Sequence, residues 1–178
     1  APYLDMANTP TRGHRPLKVS SRVVGSGVKF TNGDTLLAKI TPCLENGKVA
    51  FVDFLEEGEV GWGSTEFIVL RPHPHLPPFF GYLLARDPGF RTHAIQSMIG
   101  SSGRQRVDLR SLAQYKLVVP DPAVAEAFGR VVEPLRDRIV ANCEMQLTLA
   151  SLRDTLLPRL ISGKIRVSEA EEALKEVL

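Results

Sequence analysis

Cysteine is nearly missing from this 178-residue chain: Cys43 and Cys143 stand far apart, and neither has a CxxC partner. A disulfide framework or a cysteine-rich zinc site is thereby disfavoured, and two free thiols are expected. No run approaches the roughly 18 consecutive apolar residues of a membrane-spanning helix. The opening APYLDMANTP has no charged-then-apolar leader pattern, so a cytoplasmic chain without a membrane partner is expected. Four enzyme signatures are absent as well. There is no GxxxxGK[ST] phosphate loop, no GxGxxG opening a helix, no HExxH and no GxSxG elbow. ATP and dinucleotide binding are therefore disfavoured, and neither a cofactor nor a metal is expected. Internal repeats and low-complexity tracts are lacking too.

Three weaker patterns remain. His73 and His75 in RPHPHLPP have a spacing that could hold a metal, but a proline-rich turn with no third ligand reads as plain surface. Cys43 and His93 could form a nucleophile and base, making the chain a hydrolase, yet nothing in the sequence orients them or supplies an oxyanion hole. The glutamates of EEGE at 56–59 read as a solvated loop before they read as a Mg²⁺ site.

What is present is ordinary globular material with sorted charge. Hydrophobic residues make up 43% and charged residues 24%, so the chain should fold, and its net charge is only +2. Residues 1–30 nevertheless carry Arg12, Arg15, Lys18, Arg22 and Lys29 against Asp5, and residues 91–116 carry Arg91, Arg104, Arg106, Arg110 and Lys116 against Asp108. Residues 45–66 reverse the sign, with Glu45, Asp53, Glu56, Glu57, Glu59 and Glu66 against Lys48. Such sorting suits a basic face turned to an anionic polymer; solvated loops of mixed charge are the plainer alternative.

Along the chain, Asn32-Gly33 predicts a tight hairpin between strands near 27–31 and 35–41. LENGK predicts a second turn before the β-rich KVAFVDF, and STEFIVLR a further strand, together an antiparallel meander. PPFFGYLLARD and FRTHAIQSM predict two short helices, and YKLVVP a last strand ending at Pro120. The fold class is thus α+β: a mixed, mainly antiparallel β domain over 1–120, followed by a long C-terminal helix over 121–164.

Asp121-Pro122 is a good helix start, with a kink or restart expected at Pro134. From Pro134 to Leu157, 24 residues with no glycine and no further proline would span roughly 36 Å. Phe128, Leu135, Asn142, Leu149 and Leu156 recur every seven residues, interleaved with Val132, Ile139, Gln146, Arg153 and Leu160. This stripe predicts helix pairing through Val132, Leu135, Ile139, Asn142, Gln146, Leu149 and Leu156, with Asn142 and Gln146 able to fix register. Packing of the helix on its own domain is the alternative. Pro158 and Gly163 predict its end, and Ser168 with Glu171 a capping box opening a short helix in the tail, 165–178.

GSSGRQRVDLR at 100–110 packs glycines, hydroxyls and arginines around only two aliphatic side chains. Two glycines allow close backbone approach to a phosphate, Ser101 and Ser102 can donate to phosphate oxygens, and Arg104, Gln105 and Arg106 carry planar donors suited to base edges. A glycine turn with solvated arginines is the alternative.

Four blocks, GDTLLAKITPCLENGKVAFV at 33–52, GSTEFIVLRP at 63–72, GSSGRQRV at 100–107 and LRDTLLPRLISGKI at 152–165, resemble those of specificity subunits from type I restriction-modification systems. The resemblance implies a target recognition domain followed by a spacer helix, without catalytic activity. Such a subunit reads half of a split site in double-stranded DNA and carries methyltransferase and restriction/translocase subunits. It adds Lys39, Thr41, Ser64 and Thr65 as candidate DNA contacts, although Lys39 on a solvent face and Thr65 in a turn are the plainer readings. Complete members hold two domains and two helices. One of each here implies a fragment, or a half-length subunit that forms a homodimer or pairs with a second recognition half. A protein-binding assembly module that dimerises through its helix and ignores DNA is the competing reading.

Overall fold

The computed structural model describes residues 1–101 and 103–170, and the chain divides into two compact units, Ala1–Glu133 and Pro134–Leu178. In order, the elements are β1 (Pro2–Leu4), β2 (Ser20–Ser21), β3 (Val28–Phe30), β4 (Thr35–Ala38), β5 (Val49–Phe51), β6 (Gly61–Gly63), β7 (Phe67–Leu70), α1 (Phe80–Arg86), α2 (Pro88–Gln96), β8 (Met98–Ile99), β9 (Arg106–Val107), α3 (Leu109–Leu112) and α4 (Pro122–Ile161). The expected α+β class is what forms.

The first unit is built in layers around β4. TLLA does not alternate apolar with polar residues, and all four are at most 1% exposed, as befits a strand covered on both faces. It is central in a three-stranded antiparallel sheet, β5-β4-β7. Successive side chains of a strand point to opposite faces. Leu36, with Ala50, joins the core holding Leu4, Phe30 and Phe67. Leu37, with Val49 and Phe51, joins the core holding Phe79, Tyr82, Phe90 and Ala94 from the helical layer. The outer sheet has the order β2-β1-β6-β3, with β1 and β6 parallel and its other pairs antiparallel.

The irregular segment before β2 is stitched to β5, since the N–H groups of Val49 and Phe51 donate to the carbonyls of Pro10 and His14. His14 is 1% exposed, shares a 3.1 Å hydrogen bond with Asp53 through Nε2, and meets Phe51, Phe79 and Tyr82 edge-on.

Asn32-Gly33 does turn the chain, with Gly33 at φ +92° and Asp34 N–H donating to the Thr31 carbonyl. It does not make a hairpin: β3 pairs with β6, β4 with β5 and β7, so the turn moves the chain from one sheet to the other. Asp34 is 1% exposed and takes the Thr31 N–H together with Arg71 Nε and Nη2, both at 2.7 Å. The meander likewise gives way to two sheets, because strands as short as SS and GWG leave no alternation to read.

The two short helices form as expected, with Asp87 capping the second by accepting the Phe90 N–H at 2.8 Å. YKLVVP, by contrast, forms no strand. No sheet edge engages it, and Val118 and Val119 are 90% and 63% exposed. Strand propensity needs a partner strand or a packed face to act on, and beyond Tyr115, which packs on Phe90, the described contacts give this segment neither.

Asp121 caps α4 by accepting the Val124 N–H at 3.0 Å. The first unit runs past residue 120 to Glu133, because Ala125 and Gly129 are buried in it and Val132 packs against the core that contains Leu37. Val132 is therefore withdrawn from the pairing stripe. α4 neither restarts at Pro134 nor stops at Pro158, and both prolines lie inside it.

In the second unit the helical residues 134–161 extend about 42 Å at 1.5 Å each. Leu135, Ile139 and Leu149 are 60%, 41% and 44% exposed; Asn142 and Gln146 are also exposed, and Leu156 is half-buried. The C-terminus closes as the glycine predicts. Gly163 has φ +68°, its N–H donates to the Leu160 carbonyl, and Lys164 N–H reaches back to Arg159. In the tail, residues 167–170 are helical, and Arg166 N–H donates to Glu169 at 2.9 Å. The cap thus lies two positions before the one expected at Ser168; Glu171 is outside the described residues.

The close approach of β3, β6 and β1 yields a stability prediction. A Cβ at Gly27 would overlap the Gly63 carbonyl, and one at Gly61 would overlap the Phe30 ring. Gly27→Ala and Gly61→Ala should each lower unfolding free energy by about 1–3 kcal/mol, as overpacking does, while Gly58→Asn, at φ +75° and facing open space, should cost less. Urea denaturation of the three variants checks the order.

Candidate nucleic-acid interface

Beyond Ala38 the chain of β4 continues as Lys39-Ile40-Thr41 and is hydrogen-bonded on both sides. On one side Lys39 N–H donates to the Glu66 carbonyl at 2.9 Å. On the other, Val107 N–H donates to the Lys39 carbonyl at 2.8 Å, Ile40 bridges Arg106, and Thr41 N–H donates to the Gln105 carbonyl at 3.0 Å. β8 and β9 pair beyond that, with Ile99 opposite Arg106. Three segments far apart in sequence, 39–41, 64–66 and 98–107, thus meet at one corner of the first unit.

Not every residue there is free. Thr41 Oγ1 accepts the Gln105 N–H at 2.8 Å and donates to its carbonyl at 3.1 Å, so this hydroxyl holds the loop rather than offering itself outward. Gln105 is half-buried and contributes its backbone to the same arrangement. Ser64 Oγ accepts the Glu66 N–H at 3.1 Å and shapes the turn into β7. Thr41 thus commits its hydroxyl both as acceptor and as donor, whereas Ser64 commits only its acceptor and keeps its O–H.

Arg106 does not stand free either. Its Nε lies 3.1 and 3.0 Å from the two oxygens of Glu66, and its Nη2 lies 2.6 Å from Oε1. The pair is partly open, with side chains 40% and 23% exposed. Sequence reading counted Glu66 only as part of an acidic stretch. Its position next to Ser64 and Thr65 gives no local hint, because its partner is 40 residues away and comes near only through pairing at Ile40.

Among the described residues, the open groups are Arg104, Thr65 and Ser101, all exposed, and the half-buried Lys39, whose ammonium forms no ion pair. Gly100 and Gly103, at φ +124° and +80°, turn the loop, and Arg104 N–H donates to the Ser101 carbonyl. A Cβ at Gly100 would press on the Arg104 carbonyl, so this glycine serves the turn itself. Ser102 lies outside the described residues.

The electrostatics confirm that these groups feel one another. The hydrogen bond from Arg106 holds the Glu66 carboxyl below the usual carboxylate range, against the opposing cost of burial, and the charges of Arg106, Lys39 and Arg104 add to it. Three cations around one carboxylate leave a net positive corner suited to holding an anion.

The weaker motifs do not assemble. His73 and His75 are exposed with rings 4.9 Å apart, and no group of three metal-ligating side chains occurs among the described residues. His93 Nε2 meets the Ser111 carbonyl at 3.0 Å, which commits that nitrogen as a donor rather than as a base for Cys43. No helix among the described residues is long and apolar enough to cross a membrane.

This architecture, a mainly antiparallel α+β unit with a long helix in the chain, is found in solved type I restriction-modification proteins. The fold matches the HsdS subunit from Thermoanaerobacter tengcongensis with a TM-score of 0.59 at 18% identity, covering 88% of this chain and 40% of that one. It also matches a chain from a study of complex assembly and conformational transition of the type I R-M system, with a TM-score of 0.57 at 20% identity, covering 90% and 41%.

Sequence comparison leads to the same group. The chain is 42% identical over 79 residues to the EcoAI specificity subunit of Escherichia coli, covering 44% of this chain and 13% of that protein. It is 37% identical over 92 residues to the EcoEI specificity subunit of the same organism, covering 51% and 15%. With the HindI specificity subunit of Haemophilus influenzae it shares 27% over 126 residues, covering 70% and 27%. No family model matches. Over part of its length the chain is thus similar to type I restriction enzyme specificity subunits, and its matches span 13% to 27% of the length of these three.

Because the Glu66 pKa is lowered in the folded state, the Arg106 pair contributes stability that is present above the carboxyl's ordinary value and lost as pH falls through the folded one. Glu66→Gln should cost up to about 1 kcal/mol near neutrality, as a partly exposed pair allows. The gap between variant and parent should begin to narrow as pH drops below the ordinary value of 4.5 and vanish only once pH is below the lowered folded-state value. Urea unfolding at neutral and acid pH measures it.

Proposed function

We propose that this chain is the non-catalytic DNA-recognition part of a type I restriction-modification specificity subunit, working in the cytoplasm. Its first unit reads one half of a bipartite site in double-stranded DNA. The observation that carries this reading is the gathering of Lys39, Thr65, Ser101 and Arg104 at one net-positive corner, from blocks that resemble the family. Cations and hydroxyls grouped in this way suit phosphate contacts, which fix a protein's register on a duplex. Arg104, exposed and without an ion pair among the described residues, is the side chain here with a whole planar fork open to a base or a phosphate.

The helix of the second unit has a mechanical task. Leu135, Ile139, Leu149 and Leu156 form the apolar seam and Asn142 and Gln146 its polar register positions, through which a second copy or a second recognition half pairs. Rods of some 36–42 Å approximate one turn of B-DNA, so pairing holds two recognition units at a set separation and fixes the unread gap between half-sites. The methyltransferase and the restriction/translocase subunits dock on this assembly and supply the chemistry.

Selection of bound duplexes from a random pool, with the methyltransferase subunit present, should return a two-part site with constant spacing. Log affinity should fall by about 0.9 for each phosphate neutralised per unit of log salt, and Arg104→Ala should weaken binding by about 1–3 kcal/mol if it reads a base. Affinity insensitive to both salt and this substitution refutes the corner's role. Ile139→Lys combined with Leu149→Lys should reduce association at least tenfold in sedimentation. A chain that self-associates yet ignores DNA is an assembly module instead.

A further inference from the structure

Glu66 poses a question that DNA binding by this corner does not answer. A carboxylate among Lys39, Arg104 and Arg106 subtracts from the charge that would attract a polyanion. A positioning role would offset that cost, and the contact geometry supplies one. A guanidinium has five N–H donors arranged in two forks. Glu66 takes the side fork of Arg106, Nε with Nη2, while Nη1 and the second hydrogen of Nη2 meet no acceptor among the described residues. The carboxylate is the more covered partner at 23% exposure, and the arginine the more open at 40%. The backbone on both sides is fixed, with Arg106 paired to Ile99 and bridged to Ile40, and Glu66 bonded to Lys39.

We infer that Glu66 is a positioning residue: it locks the side fork of Arg106 so that the end fork, Nη1 with Nη2, is presented to a backbone phosphate of bound DNA. The inference rests on the DNA-binding reading above. A phosphate fits better than a guanine edge because the open groups on the neighbouring segments are the Lys39 ammonium, the Arg104 guanidinium and the hydroxyls of Thr65 and Ser101, all of them donors suited to an anion. Arg106 then contributes affinity and register for any sequence, and discrimination among bases comes from elsewhere. Holding the fork in advance removes part of the ordering cost that a free arginine would meet on binding.

The test uses the full chain with its methyltransferase partner, the duplex recovered by selection, and an unrelated duplex of equal length. Unmodified protein is measured first on duplexes carrying one methylphosphonate at a time, and then on duplexes with 7-deazaguanine at single positions. Arg106→Lys, which keeps the charge but not the fork, should weaken both duplexes by the same factor, roughly tenfold. One or two methylphosphonate positions should weaken the parent protein and have no further effect on this variant. Glu66→Gln should weaken binding about threefold, even though removal of a negative charge beside DNA would by itself raise affinity. It should produce no weakening in the Arg106→Lys background.

Three results overturn the inference while leaving the DNA-binding reading intact. They are unchanged or raised affinity in Glu66→Gln, unchanged affinity in Arg106→Lys, and a loss confined to the selected duplex and matched by 7-deazaguanine, which would make Arg106 a base reader. A parent protein that ignores every duplex overturns both. If a variant fails to fold, the modified duplexes with the parent protein still decide between phosphate and base.

Discussion

Covering β4 on both faces is the constraint from which the first unit follows. Four successive buried residues cannot belong to a two-layer arrangement, because alternate side chains point to opposite faces and each face needs its own apolar cover. Leu36 is covered by the outer sheet through Leu4 and Phe30, and Leu37 by the helices through Phe79 and Phe90. The strand is therefore central, and its exit is central too. Lys39 emerges with neighbours on both sides, and this brings Glu66 from one side and Arg106 from the other into contact. The charged corner is a consequence of burying two leucines in opposite directions.

This origin explains why the fold was legible in the sequence only in part. Helix ends announced themselves through local chemistry at Asp121 before Pro122 and at Gly163, which act within a few residues of where they stand, while Asp87-Pro88, which reads as a break, proves to be a helix start. Sheet membership is not local. Asn32-Gly33 gives the right backbone turn, yet whether the strands beside it pair with each other depends on the competing offer of Trp62 to Lys29 and of Ala50 to Leu36. YKLVVP failed for the converse reason, a strand-like composition with no edge to join.

The site divides along the same line. Residue types in GSSGRQRV announce anion chemistry, and the structure brings Arg104 and Ser101 to an exposed turn beside Lys39 and Thr65. Sequence alone could not apportion the hydroxyls. Thr41 carries the same donor as Ser101, but the Gln105 carbonyl takes it, while Ser64 accepts the Glu66 N–H and keeps its own donor. Nor could it pair Arg106 with Glu66, since the link runs through Ile40, an intermediary with no charge to signal it.

The helical stripe shows how strongly the surroundings of a heptad decide its use. Val132 and Ile139 occupy equivalent positions seven residues apart, yet Val132 packs against the core of the first unit while Ile139 is 41% exposed. The periodic pattern therefore overstates the pairing seam by including a residue already in use, and the positions left for pairing begin at Leu135. Leu135, Ile139 and Leu149 each leave more than two-fifths of their surface to solvent. Helical stability in proteins comes mostly from packing of an apolar face rather than from propensity. On the proposed reading, pairing covers this face, and the same contact that stabilises the rod sets the distance between two recognition units.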